Sequence, residues 1–274
     1  PMIKIGLNEI PPWAYRGLML PAAALVTFAV ARAIGEQFTL PRGQWGALIV
    51  TSLLNITGWT VFSTLGLHLM GSSGHASIIA YTMPFWAMLF AVLFAGERPG
   101  WVRLCGLALG LTGLGFLLSA EFASMAGSPE GTALMLTAAI AWGAGTVMHK
   151  RVAWRLPPLM LTGWMIAIGS IPITLIGLAT EIPDLRPISA AAAWSCVFVL
   201  LISTVFCWVA WFQVVKLAPV AVSTVGIMMV PVMAVISGGL ILDEVIGLRE
   251  ILALVFVVSG IALVLLPQRR LAAS

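Results

Sequence analysis

Charge is the scarcest commodity in this chain of 274 residues: Lys and Arg number 14 and Asp and Glu 10, together 9%, where a soluble domain carries about 25%. So little charge cannot clothe a surface facing water, which excludes a soluble globular domain. Short runs of alternating polar and apolar residues are also missing, and with them the transmembrane barrel; continuous apolar runs leave helices as the only spanning structure. Cysteine is rare. Cys105, Cys196 and Cys207 all fall inside apolar runs and read as small packing residues, not as a disulfide or a metal site. No Asp or Glu lies deep in a run and the histidines sit at run ends, so no nucleophile with its base and no metal cluster can be assembled. This argues against an intramembrane enzyme and predicts no cofactor. No G-x4-G-K-S/T loop occurs, so ATP is not the direct driver, and residues 1–6 are too short for the apolar core of a signal peptide.

What remains is hydrophobic, at 61% of residues and a mean hydropathy of +1.07. Cutting at charged and Pro/Gly punctuation gives spans near 12–31, 44–67, 73–95, 101–120, 131–147, 158–179, 190–215, 220–242 and 248–266. Each is close to the roughly 20 residues that cross about 30 Å of hydrocarbon. The chain reads as an all-α integral membrane protein with the lipid bilayer as its first partner.

Two of these spans share a grammar. Pro84 precedes Glu97, and Pro231 precedes Glu244, in stretches displaced by 147 residues; Gly113 and Gly260 keep that offset, and Pro11-Pro12 and Pro157-Pro158 follow at 146. A structural unit has been written twice. Two repeats result, 1–125 and 126–274, and in this register the first lacks most of its opening helix, so the expected protein has ten transmembrane helices as two five-helix repeats. An odd helix number per repeat inverts the second copy, the architecture common among secondary transporters. Pro84 and Pro231 fall inside the expected fourth and ninth helices, where proline removes a backbone hydrogen bond and bends the axis. Two readings stand, a tolerated kink and a hinge beside a cavity; equivalent placement in both halves favours the hinge. Glu97 and Glu244 close their helices, where the helix dipole does not want a carboxylate; interfacial solvation or capping of the next helix would account for them.

Loops assigned to alternate sides place ten Lys and Arg on one face and only Lys4, Arg16, Arg186 and Arg249 on the other. The first face is then cytoplasmic, with both termini on it once a first helix is restored. The basic balance of +4 thus reflects topology and predicts no nucleic-acid partner.

The segment IGLNEIPPWAYRG, the two P-x12-E segments and the Gly-rich spans at 106–116 and 258–266 resemble the drug/metabolite transporter superfamily, specifically its EamA-type ten-helix exporters. Within that family the chain is most similar to the YddG-type bacterial exporters of aromatic and other amino acids. The resemblance implies a multi-pass inner-membrane protein whose first four helices and sixth to ninth helices wall a central cavity, the fifth and tenth packing at the edge. It implies export of small metabolites, amino acids among them, by a monomer; export of cationic drugs is the competing reading, although no buried carboxylate is visible to receive a cation.

Within the cavity helices, Ser77, Tyr81, Pro84 and Met88 recur at helical spacing on one face, and Thr224, Met228 and Pro231 do the same in the second repeat. Asn55 and Trp59 share a face, and an amide in hydrocarbon needs a partner or water. Trp164 and Trp208 offer further ring surface, against the alternative that tryptophans such as Trp45, Trp101 and Trp154 are interfacial anchors. His68 and His75 read as interfacial, and Arg16 as a snorkelling residue or a partner for a helix end. A wall of hydroxyls, an amide and rings without fixed charge suits net-neutral, partly apolar molecules.

Overall fold

The computed structural model describes residues 2–117 and 128–265, apart from 38, 40, 41, 71–75, 77, 78, 98, 231, 232 and 234–247. Among these residues the chain is all helix and turn, with no strand. The helices are α1 (Met2–Leu7), α2 (Pro12–Ala33), α3 (Trp45–Ser52), α4 (Trp59–Met70), α5 (Met83–Ala95), α6 (Trp101–Leu117), α7 (Pro129–Arg151), α8 (Pro158–Thr180), α9 (Ala190–Phe198), α10 (Cys207–Leu217), α11 (Val220–Val225) and α12 (Leu248–Leu265). A π-helical segment, Leu53–Gly58, joins α3 to α4, and a second, Val199–Phe206, joins α9 to α10.

Among the described residues five continuous rods are long and apolar enough to cross a membrane: 12–33, 42–70, 129–151, 158–180 and 190–217; α5, α6 and the 254–264 part of α12 are shorter apolar helices. Their outer faces carry bare hydrocarbon, with Leu25 at 69% and Trp194 at 74% exposure. Such surface is tolerable in lipid and not in water. Trp101 is exposed as an anchor should be, whereas Trp45 and Trp154 are half-buried against an inner cluster. Of the cysteines only Cys196 packs inside; Cys105 and Cys207 face outward.

Two compact units emerge, residues 1–64 with 148–217 and residues 65–147 with 218–274, each drawing on both halves of the sequence. In the first, α2 and α8 lie antiparallel, and their ends are tied by a bond made twice. α2 starts from Pro11 (φ −58°, ψ 151°) and α8 from Pro157 (φ −58°, ψ 148°), neither of which has a side-chain oxygen to cap the helix. The cap comes from the partner helix. Glu181, just past α8, accepts the N–H groups of Trp13 and Ala14 at 2.8 and 2.9 Å, and Glu36, just past α2, accepts the N–H of Met160 at 2.8 Å. A carboxylate belongs at a helix N-terminus, where unsatisfied N–H groups and the positive dipole end converge. Between the ends, Gly17 and Gly177 let the backbones approach: a Cβ on Gly177 would lie 2.8 Å from the Trp13 carbonyl.

In the second unit α6 and α12 run antiparallel in close contact. A Cβ on Gly106 would stand 2.7 Å from the Gly260 carbonyl, the close approach that small residues permit between helices in lipid, and Phe116 stacks on Phe256 at 5.5 Å. Glu97 behaves as Glu181 and Glu36 do. Its carboxylate accepts the Val220 N–H at 3.1 Å, so it caps α11, more than 120 residues away. Glu244 lies outside the described residues.

Candidate substrate-binding helices

Pro84 departs from the expected kink. It is not inside a continuous helix; it is the second residue of α5, preceded by a break at Tyr81 and Thr82 in which the Thr82 N–H reaches only the Ile79 carbonyl (3.0 Å) and the Phe85 N–H the Thr82 carbonyl (2.9 Å). At a helix start the missing proline N–H costs nothing, so the interruption takes the form of a turn and a fresh helix. Tyr81 is half-buried and packs against a cluster that includes Met88 and Met228 together with Leu107, Val225 and Val257. Met228 is fully buried, its sulfur against Gly110. The structure therefore gathers Tyr81, Met88 and Met228 in one place. Ser77, Pro231 and the Thr224 side chain lie outside the described residues.

In the first unit three of the expected residues lie in or just after the π segments, and Trp164 is on α8. Asn55 lies within Leu53–Gly58, fully buried, and Trp59 follows its last residue; Trp208 stands two residues past Val199–Phe206. The two π segments begin 146 residues apart, the register of the sequence repeat. A π turn widens the helix by one residue and is common where a helix serves a site. The first is clasped by α8, since Thr57 donates its hydroxyl to the Gly169 carbonyl at 2.6 Å and Gly169 abuts Ile56 and the Ser52 carbonyl so closely that a Cβ would clash. Trp164 meets Phe28 and Trp45 edge-on, each at 5.2 Å, and Trp208 packs on Phe212 at 5.3 Å in the same cluster. Asn55 and Ile56 are adjacent, and Ile56 shares a second cluster with Trp208.

Arg16 makes none of the expected helix-end bonds: among the described residues it has no hydrogen bond or ion pair, and it is half-buried one turn into α2. Sequence reasoning passed over His149. Its imidazole is 3% exposed, lies 4.6 Å from the Phe212 ring and 6.0 Å from that of Trp154, and leaves Nδ1 without a partner. The available signal was its setting in HKRVAWR, where a tryptophan and a helix end surround a ring that the first repeat replaces with Ile3. Outside the membrane helices, Glu9 accepts both the N–H (2.7 Å) and the hydroxyl (2.6 Å) of Ser189, which itself caps α9; the hydroxyl first and the N–H second hold the Glu9 carboxyl below the usual range.

Comparison with known proteins places this geometry. A family model described as the EamA-like transporter family matches residues 1–119 and 130–266. The chain is similar to the uncharacterized transporter YoaV of Bacillus subtilis, at 27% identity over 94% of this chain and 89% of that one. It is also similar to a probable amino-acid metabolite efflux pump of Escherichia coli, at 24% identity over 95% and 87%. A solved crystal structure shares the fold, with a TM-score of 0.83 at 21% identity over 98% of this chain and 94% of that one.

Proposed function

The chain belongs to the EamA-like transporter family, and from that premise we propose that it exports small metabolites, amino acids including aromatic ones, across the bacterial inner membrane by alternating access. It is a multi-pass membrane protein and a transporter. The observation that carries the proposal is the doubling inside the first unit. The Glu181 and Glu36 caps tie opposite ends of one antiparallel helix pair, and the two π segments recur at the repeat offset. Both are consistent with ten helices as two inverted five-helix repeats; the same proposal takes the protein as a monomer, with its termini in the cytoplasm from the Lys and Arg bias of the loops, and with no nucleic acid or cofactor in the mechanism.

An inverted repeat gives two near-equivalent arrangements of the same contacts, which is what alternating access needs. The break before Pro84 is our hinge, and the sequence repeat gives Pro231 the matching role. The proposed substrate residues are, in the first unit, Asn55, Trp59, Trp164 and Trp208 and, in the second taken by itself, Ser77, Tyr81, Met88, Thr224 and Met228. Rings and a buried amide suit an apolar or aromatic portion, and a zwitterion can satisfy its two ends with dipoles and retained water where a net ion could not. The printed name of the E. coli relative, a probable amino-acid metabolite efflux pump, agrees with this substrate class. We expect downhill, facilitated flux.

Purified full-length protein in liposomes tests it, with aromatic, aliphatic and charged amino acids and a lipophilic cation supplied with and without a pH gradient. Saturable phenylalanine or methionine flux, lost in Tyr81→Ala, is the expected result. Saturable flux of the lipophilic cation alone, dependent on the pH gradient, would replace this reading with a multidrug exporter.

A further inference from the structure

His149, the last-turn histidine of α7, lies at the back of a pocket also formed by Trp154, Pro158 and Leu161 and by Phe212 and Lys216 of α10. All belong to the first unit. With its open mouth the pocket encloses about 240 Å³; behind the mouth there is room for roughly one water-sized group. The polar atoms are few and well defined. One His149 ring nitrogen faces the Phe212 carbonyl, the indole N–H of Trp154 is used by the His149 carbonyl at 2.8 Å, and Nδ1 is left buried with no protein partner. In that tautomer Nδ1 is an acceptor.

At the mouth stands the exposed Lys216 ammonium. Lys150 is engaged with the Val215 carbonyl at 3.4 Å, while Arg151 and Arg155 are exposed nearby in sequence, and no carboxylate lines the pocket. The mouth lies at the end of the 190–217 rod, beside Leu217 at 81% exposure, and the end of a rod of that length is where a spanning helix leaves hydrocarbon for headgroups. Basic pockets between helix ends at this level suit anionic lipid headgroups. A phosphodiester without a hydroxyl would satisfy Lys216 but, carrying no proton at neutral pH, has nothing to offer a neutral acceptor. The chemistry called for is a phosphodiester with a free hydroxyl.

We propose that this pocket binds an anionic phospholipid whose headgroup carries a free hydroxyl, of the phosphatidylglycerol kind, the hydroxyl donating to His149 Nδ1 and the phosphate resting beside Lys216. The site is independent of the transported substrate, so it stands or falls apart from the export reading.

Native mass spectrometry of the full-length protein titrated with phosphatidylglycerol, phosphatidylmethanol and phosphatidylcholine reads it directly. Phosphatidylmethanol has the same charge and no hydroxyl. Phosphatidylglycerol should bind about fivefold more tightly than phosphatidylmethanol, the size of one hydrogen bond to a neutral acceptor, and both should exceed phosphatidylcholine. His149→Phe should erase the fivefold preference and keep the anionic one, whereas Lys216→Gln should weaken both anionic lipids alike. Should His149→Phe fail to fold, ¹⁵N-histidine spectra of the unaltered protein, which has three histidines, give the same answer: the Nδ1 signal lost in no other variant moves with phosphatidylglycerol and not with phosphatidylmethanol. Equal binding of the two anionic lipids, or an unmoved signal, overturns the proposal. Displacement of phosphatidylglycerol by equimolar soluble glycerol 3-phosphate overturns it as well, because the ligand would then be a soluble phosphate ester.

Discussion

Removing Glu181 should destabilise the protein more than removing Glu36, although both cap a proline-started helix. Glu181 accepts two N–H groups, those of Trp13 and Ala14, and Glu36 accepts one, that of Met160. A lost cap costs about 0.5–2 kcal/mol, and bonds to a charged acceptor lie at the upper part of the range. Glu181→Ala should therefore cost about 2–3 kcal/mol and Glu36→Ala about 1–1.5 kcal/mol. Glu181→Gln keeps an acceptor oxygen and loses only the charge at the dipole end, about 0.5–1 kcal/mol. In a chain of this size those values correspond to midpoint shifts of about 6, 3 and 2 °C, measurable by tryptophan fluorescence on heating in mild detergent. The 22 residues of α2 separate the two caps by about 30 Å at 1.5 Å per residue, so the double alanine variant should show the sum of the single effects. Equal shifts for Glu181→Ala and Glu36→Ala, or a glutamine variant as damaged as the alanine one, would refute the assignment of these carboxylates as helix caps.

Other outcomes follow from the same geometry. In intact cells Arg155→Cys should resist an impermeant thiol reagent while Ala126→Cys reacts, in a background lacking the three native cysteines; the opposite pattern reverses the topology. Replacing Pro84 and Pro231 singly by alanine should slow transport in folded protein, and parental rates in both would reduce the break before Pro84 to architecture. The Glu9 carboxyl is held low by Ser189, so its contribution to stability is present above the ordinary carboxylate range near pH 4 and fades as pH falls through the lowered folded value. Ser189→Ala should remove that acid-side dependence, with a small amplitude because Glu9 is exposed; an unchanged acid limb would deny the link.

The membrane class and five of the nine expected spans were legible because they depend on composition over some twenty residues; the 73–95 span is instead broken at Tyr81 and Thr82. The twin Pro-x12-Glu pattern was also visible, but its purpose was not. Glu97 reaches the N-terminus of α11, and Glu181 and Glu36 reach α2 and α8, contacts set by which helix lies alongside and not by which follows in sequence. A reader of one chain sees a carboxylate at the wrong end of its own helix and has no way to see the positive end beside it.

The π segments were hidden for a related reason. Leu53–Gly58 and Val199–Phe206 contain no proline and only one glycine between them, so nothing in their own composition asks for an extra residue per turn. For the first segment the cause lies across the interface, where Gly169 of α8 presents bare backbone to Ile56 and Ser52 and the Thr57 hydroxyl reaches its carbonyl. The widened turn and the missing Cβ are complementary halves of one contact, and each looks ordinary alone. That is why Asn55 and Trp59 could be chosen from sequence as polar and aromatic residues on a helical face, while the irregular backbone that carries them could not. Substituting Gly169 with valine should then press on the π turn, not on a regular helix, and alter transport through Asn55 and Trp59 before it unfolds the α2–α8 pair.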